Sequence, residues 1–145
     1  LLIFAYFCLS LLILSIFASC PVVHPHSQRR DTHPATRERA MKWGVISTGS
    51  ICNDFTLALK KTPKAVLHAC ASRTQASADE FAQKHGFAKA YESYEALAAD
   101  PEVEIVYIAT PHAFHCDNIL LCLEAGKHVL SEKPMVVNAR QACMA

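Results

Sequence analysis

The sequence predicts an α/β fold over residues 41–145: a parallel sheet, doubly wound, with helices on both faces. Three observations predict it. Short apolar runs alternate with helical segments of roughly 10–15 residues, the pattern of βαβ crossovers. Each apolar run ends in small, polar or charged residues: "STGS" at 47–50, "ASR" at 71–73, "ATPH" at 109–112 and "SEKP" at 131–134. The first of these ends passes directly into a second apolar stretch at Ile51, as a strand does when it turns into a helix.

The elements follow in order. "KWGVIS" (42–47) is a buried strand. "SICNDFTLALKK" (50–61) carries Ile51, Phe55, Leu57 and Leu59 at mixed helical spacing, and Thr62-Pro63 stops it. "AVLHACAS" (65–72) is a second apolar strand. A helix then runs from a Thr74 cap to Gly86. "AKAYES" (88–93) is a short strand or extended link. Ser93 caps the next helix and Pro101 ends it. "VEIVYIAT" (103–110) is a third long strand. The spacing predicts one helix over 112–126, with Ile119, Leu120 and Leu123 inward and Gly126 closing it. "KHVLSE" (127–132) is another strand, and a helix is expected to begin in 134–145.

Residues 1–20 are wholly apolar apart from three serines and carry no charge. As a helix of 1.5 Å rise per residue they reach about the ~30 Å of a hydrocarbon core. Three readings stand: a membrane anchor, a signal peptide, or sequence read upstream of a start at Met41. Residues 21–40 are a polar, Pro-containing linker of net charge +2. Residues 41–145 form the third division, the α/β domain, whose last helix is expected to be cut off at the C-terminal end. A cytoplasmic location is expected for it, with anchoring through 1–20 as the alternative.

Net charge is +1 and no basic stripe with interleaved aromatics occurs, which argues against nucleic acid as a partner. The seven cysteines are odd in number and include no C-x-x-C, so Cys52, Cys70, Cys116 and Cys122 read as buried thiols of a reducing compartment. His112 and His115 are three apart without a third ligand at suitable spacing, so no metal is expected.

In a sheet of this kind, ligands bind beyond the carboxyl ends of the strands. The loop Ser47-Thr48-Gly49-Ser50-Ile51-Cys52 overlays the dinucleotide fingerprint G-x-G-x-x-G, of which only the middle glycine is present. Gly49 lets backbone approach phosphate. Ser47 stands for the first glycine and serves if its backbone angles are ordinary; Cys52 stands for the third and is small enough for close packing. The helix opening near Ser50 and Ile51 offers free N–H groups to a pyrophosphate. Some 20 residues on, Ser72 takes the place of the acidic residue that reads a ribose, and Arg73 supplies a charged fork suited to a 2′-phosphate. The expected cofactor is therefore NADP.

"GVISTGSI" (44–51), "ASR" (71–73), "ATPHAFH" (109–115) and above all "AGKHVLSEKPM" (125–135) resemble the glucose-fructose oxidoreductase / inositol dehydrogenase (GFO/IDH/MocA) family over residues 41–145. The resemblance implies a Rossmann-type domain followed by a C-terminal α/β substrate domain, and a homodimer for the complete protein. It implies hydride transfer from a small-molecule sugar, such as D-xylose, or a vicinal trans-diol. The alternative is a non-catalytic nucleotide-binding module, and residues 41–145 alone are expected to be inactive. By the same resemblance Lys133 lies beside the nicotinamide and stabilises alkoxide character in the substrate. His115 is expected beside Lys133 as a second catalytic residue lining the site; Glu132 contacts ribose or orients Lys133, His112 lines the site, and Thr110 and Pro111 shape the turn beneath the cofactor.

Overall fold

The structure is a computed structural model and describes residues 39–145; the readings made for residues 1–20 and for the linker up to residue 38 lie outside the described residues. Among those described, no helix is long and apolar enough to cross a membrane.

Five strands form one sheet: β1 (Met41–Ile46), β2 (Ala65–Ala71), β3 (Lys89–Tyr91), β4 (Ile105–Ile108) and β5 (His128–Ser131). All neighbouring pairs are parallel, in the order β3-β2-β1-β4-β5. The order grows outward from β1 in one direction and then in the other. The reversal leaves a crevice beyond the carboxyl ends of β1 and β4, where doubly wound sheets take their ligands.

Period-2 alternation sends successive strand residues to opposite faces. Ile46, Ala69, Ala71, Val106 and Ile108 pack on one side with Leu97 of α3 (Tyr94–Ala99) and with Ile119 and Cys122 of α4 (His115–Glu124). Val45, Cys70 and Tyr107 pack on the other with Cys52 of α1 (Ser50–Leu59) and Phe81 of α2 (Gln75–His85). Both faces are covered, which is why the strands read as continuous apolar runs. The four cysteines expected inside are buried.

Local signals set several boundaries. The Thr74 side chain accepts from the Ser77 N–H, the Ser93 side chain from the Ala96 N–H, and Gly86 closes α2 at φ +77°. Elsewhere the structure departs from expectation. The strand over 103–110 is shortened, because the Val103 N–H turns back to the Asp100 carbonyl and the ladder begins only at Ile105. The single helix over 112–126 is broken. A 3-10 turn (His112–Phe114) follows Pro111, and Phe114, at φ −102° and ψ 0°, separates it from α4. On α4 the inward stripe is His115, Asn118, Ile119 and Cys122, leaving Leu123 exposed. The last helix, α5 (Ala139–Met144), starts late because Asn138 caps it, accepting from the Gln141 N–H at 2.9 Å.

Candidate functional site

The positions of the 47–52 loop, expected to hold phosphate, divide by what each backbone tolerates. Ser47 does not have the ordinary angles expected of it: its φ is +89°, in the region that favours glycine. The first fingerprint position therefore keeps its left-handed turn with a serine in it, held by the Ser47 N–H donating to the Ala71 carbonyl at 2.9 Å. Gly49 is the reverse case. Its φ of −69° and ψ of 176° suit any residue, and a Cβ there would meet only Ser47 Oγ, at 3.8 Å. Neither conformation nor protein packing requires this glycine, so the space above it suits a ligand approaching the backbone. As the N-cap of α1 it supplies no side-chain cap, and the N–H groups of exposed Ser50 and Ile51 have no intrahelical acceptor. Cys52 is fully buried under the loop, its thiol pushed up by burial, and serves packing.

A cleft of about 500 Å³ opens beyond these strand ends. Ser47, Thr48 and Gly49 form one wall, Ser72 and Arg73 flank it, and Thr110 and Pro111 line it from the end of β4. Thr48 Oγ1 and Ser72 Oγ lie 3.4 Å apart, linking the first two strand ends. Arg73 is exposed on the cleft, and no described residue pairs with its guanidinium. Four lining residues escaped the sequence reasoning: Tyr94 at the start of α3, and Phe114, Asp117 and Asn118 around the start of α4. Asn118 Nδ2 donates to Thr110 Oγ1 at 3.1 Å, fixing the turn after β4.

The residues expected at the nicotinamide end lie past β5 and the turn after β4, and are not among the described residues lining this cleft. Glu132 continues β5, its N–H donating to the Ile108 carbonyl at 2.9 Å. The Tyr107 hydroxyl donates to Glu132 Oε1 at 2.7 Å, and Oε2 accepts from the Lys133 N–H at 3.2 Å. Tyr107 is itself buried and stacked on Phe55, with ring centroids 3.6 Å apart. Burial, and then the neighbouring Glu132 carboxylate, raise its hydroxyl above the ordinary tyrosine range. Lys133 is exposed, and the peptide joining it to Pro134 is cis. His112 is exposed on the 3-10 turn.

His115 is not brought to the cleft surface. It is 1% exposed, with Nδ1 2.7 Å from the Pro134 carbonyl oxygen and Nε2 2.7 Å from that of Thr110. Neither nitrogen is left for a substrate; the ring ties the segment after β4 to the segment after Lys133.

The donor set fits a dinucleotide phosphate: an open glycine cradle, helix-start N–H groups, and a guanidinium with no partner among the described residues, across one cleft. A grouping of metal-ligating atoms, His68, Asp100 and Glu102, lies at the opposite end of the sheet. There the Lys89 ammonium sits 3.0 Å from both carboxylates and already supplies the positive charge.

Comparison with known proteins agrees with this geometry. Residues 41–144 match the family described as "Oxidoreductase family, NAD-binding Rossmann fold" (GFO_IDH_MocA). Trans-1,2-dihydrobenzene-1,2-diol dehydrogenase of Mus musculus is 53% identical over 104 residues, which are 70% of this chain and 31% of the mouse protein. The protein of that name from Homo sapiens is 50% identical over the same length. The chain thus spans about a third of the length of these relatives. Among solved structures, the 3-ketoreductase KijD10 from Actinomadura kijaniata, in complex with TDP-benzene and NADP, superposes with a TM-score of 0.70 at 34% identity, covering 73% of this chain and 34% of that one. Scyllo-inositol dehydrogenase from Lactobacillus casei, with NAD(H) and scyllo-inositol bound, gives 0.68 at 26% identity, covering 73% of this chain and 32% of that one. By its sheet order and these matches, the chain belongs to the GFO/IDH/MocA oxidoreductase family through its NAD-binding Rossmann fold.

Proposed function

We propose that this chain is the cofactor-binding portion of an NADP-dependent dehydrogenase that oxidises a trans-dihydrodiol or a sugar such as D-xylose. The observation that carries the reading is the open cradle at Gly49 facing the same cleft as the uncommitted Arg73 guanidinium. The relatives named for dihydrodiol oxidation support the substrate class, and NADP in the complex with KijD10 supports the cofactor.

Bound NADP supplies the hydride acceptor. The chain's own residues divide the remaining work. The N–H groups of Ser50 and Ile51, with Thr48, hold the pyrophosphate. Arg73 and Ser72 read the 2′-phosphate, where an acidic residue would repel it. Thr110 and Pro111 support the cofactor from the end of β4. Lys133 would hydrogen-bond the substrate hydroxyl and stabilise the negative charge that develops on its oxygen as the O–H proton passes to a base or to solvent; hydride departure to the cofactor then converts that charge into the carbonyl bond. Glu132 holds the Lys133 backbone and is itself held by Tyr107. His115 acts as a positioning residue through the Thr110 and Pro134 carbonyls, and His112 flanks the same end.

The test is a pair of titrations, NADPH and NADH, on the wild type and on Arg73→Ala. A charge-assisted hydrogen bond of about 1.5–3 kcal/mol corresponds to a roughly 10- to 150-fold loss of NADPH affinity. NADH affinity is expected to stay within about twofold. Equal losses for both cofactors, or a wild type that prefers NADH, would remove Arg73 from recognition of the phosphate and NADP from the reading.

A further inference from the structure

Two side chains at the end of α2 reach across to the start of α1. Lys84 Nζ donates to Asn53 Oδ1 at 2.8 Å, and His85 Nε2 lies 2.8 Å from the same oxygen. Asn53 Nδ2 in turn donates to the Gly49 carbonyl at 3.0 Å, which also accepts from the Asn53 backbone N–H at 3.2 Å. The chemistry of the partners fixes every orientation. An ammonium only donates and a carbonyl only accepts, so the amide turns its oxygen to Lys84 and its nitrogen to Gly49. His85 Nε2 then faces an acceptor and carries the ring hydrogen. Its Nδ1 is buried and has no partner among the described residues. Burial, and then the Lys60 and Lys84 charges, hold the His85 pKa below the ordinary histidine range, so the ring is a neutral donor. The ring is 3% exposed and packs on Phe81, with centroids 4.5 Å apart. An apolar ring would serve that packing without leaving a buried nitrogen unsatisfied, which is costly. What histidine adds is the one N–H that meets Asn53.

The relay ends on a peptide of the 47–52 loop. Among the described residues the one cis peptide precedes Pro134, so the peptide joining Gly49 to Ser50 is trans. In a trans peptide the C=O and the N–H lie in one plane and point in opposite directions. Holding the Gly49 carbonyl toward α1 therefore aims the Ser50 N–H out of the helix start, where a phosphate approaches. We propose that His85 is a positioning residue for the cofactor pyrophosphate: through Asn53 it sets the tilt of the Gly49–Ser50 peptide. Lys84 strengthens the relay, since its charge on Oδ1 polarises the amide and makes Nδ2–H a better donor. The inference rests on the cofactor reading above, which places a pyrophosphate on this loop. It adds residues that touch no ligand, for neither Lys84 nor His85 lines the cleft.

The experiment titrates the full chain with NADPH and with adenosine 2′-phosphate, which keeps the base, ribose and 2′-phosphate but has no pyrophosphate. Asn53→Ala is expected to weaken NADPH about 3- to 10-fold, the range of one neutral hydrogen bond. Adenosine 2′-phosphate is expected to stay within about twofold. His85→Phe, which keeps a ring on Phe81 and loses the donor, is expected to match Asn53→Ala on both ligands. His85→Gln, whose amide can donate to Asn53 Oδ1 but gives up the ring, is expected to return NADPH affinity to within about twofold of wild type. A packing role predicts the reverse for this pair: phenylalanine tolerated and glutamine harmful. Asn53 is only half-buried, so Asn53→Ala still decides where a His85 variant fails to fold. Unchanged NADPH affinity in Asn53→Ala, equal losses of both ligands, or a weaker His85→Gln than His85→Phe overturns the relay and leaves the cofactor reading standing. Binding of neither ligand by the folded wild type overturns the cofactor reading, and the relay with it.

Discussion

The two ends of the sheet are built from the same kinds of side chain and treat them in opposite ways. At the amino ends of the strands, Asp100 is 4% exposed and has every oxygen engaged. Lys89 and the Tyr91 hydroxyl donate to its Oδ2 at 3.0 and 2.9 Å, His68 Nε2 lies 3.1 Å from the same oxygen, and the Glu102 N–H donates to Oδ1 at 3.0 Å. The Asp100 carbonyl accepts from Lys127, Glu102 pairs with Lys42 and Lys89, and Arg39 pairs with Glu104. At the carboxyl ends, Arg73 and Asp117 have no described partner, Phe114 faces solvent, and Gly49 stands under open space. Acid, base and aromatic ring occur at both ends, so residue type does not distinguish them. Pairing does. One end satisfies its polar groups internally and contributes stability; the other pairs some of its own, such as Asn118 with Thr110, but keeps Arg73 and Asp117 on the cleft without a described partner.

The strongest test of this contrast is at the closed end. Asp100→Ala leaves Lys89, His68 and Tyr91 facing a lost acceptor; Lys89 can turn to water, so the loss is about 1–3 kcal/mol, the cost of the unsatisfied buried partners. Thermal unfolding is expected to show that loss, while NADPH affinity stays within about twofold. Acid sharpens the point. Burial pushes the Asp100 carboxyl up, but the Glu102 N–H, Lys89, Tyr91 and His68 outweigh it and hold it well below the usual carboxylate range. Lys42 and Lys89 draw Glu102 down to about 2. A folded value below the unfolded one, which is near ~4, means the contribution is complete above pH ~4 and is lost as pH falls through the folded value. Wild type is therefore expected to lose stability from about pH 4 downward, and Asp100→Ala to show a shallower decline over the same range. Parallel profiles would show that the network does not act as described.

The open end is expected to respond the other way. Gly49→Val puts a side chain where only Ser47 Oγ is near and where the backbone already suits it. Stability is expected to fall by no more than about 1 kcal/mol, the cost of losing a glycine N-cap, while NADPH affinity falls about 100-fold or more, near 2.8 kcal/mol, as the side chain fills the approach to the phosphates. Calorimetry with and without cofactor measures both. Undiminished affinity would place the phosphates off this loop and break the contrast.

How much of this was legible in the sequence follows from how local each signal is. The order of strands and helices, the Thr74 and Ser93 caps and the Gly86 stop each rest on residues a few positions apart, and all appear in the structure. So do the cleft-lining residues at the ends of β1, β2 and β4. Tyr94, Phe114, Asp117 and Asn118 were not legible, because α3 and α4 meet in one cleft only after the order β3-β2-β1-β4-β5 has set β4 beside β1. The break after Pro111 and the start of α5 also rest on local signals, a proline and an Asn side chain at the cap position. The inward stripe of α4 was misassigned because hydrophobicity favours Leu123 over Cys122, whereas the geometry follows spacing from His115 through Asn118, Ile119 and Cys122.

Ser47 gives the smallest effect and the finest test, because it belongs to both sides of the contrast. A serine suggests ordinary backbone angles, yet the loop holds it at φ +89°. A left-handed residue with a Cβ costs roughly 1–2 kcal/mol. Glycine removes that cost but adds freedom to the unfolded chain worth about 0.4–1 kcal/mol. Ser47→Gly is therefore expected to stabilise the folded chain by about 0.5–1 kcal/mol, a rise of a few degrees in the unfolding midpoint. Ser47 also lines the cleft, so its hydroxyl can donate to a phosphate oxygen. Loss of a neutral hydrogen bond of about 0.5–1.5 kcal/mol corresponds to roughly a 2- to 10-fold weaker affinity for NADPH. Ser47→Ala separates the two terms: it keeps the strained angle and loses the hydroxyl, so binding falls equally without any gain in stability. A midpoint that rises in the glycine variant alone, with affinity falling in both, shows that the open end keeps a strained serine for its hydroxyl. A glycine variant no more stable than wild type would show instead that the turn carries no such strain, and the contrast between the two ends would then rest on unpartnered side chains alone.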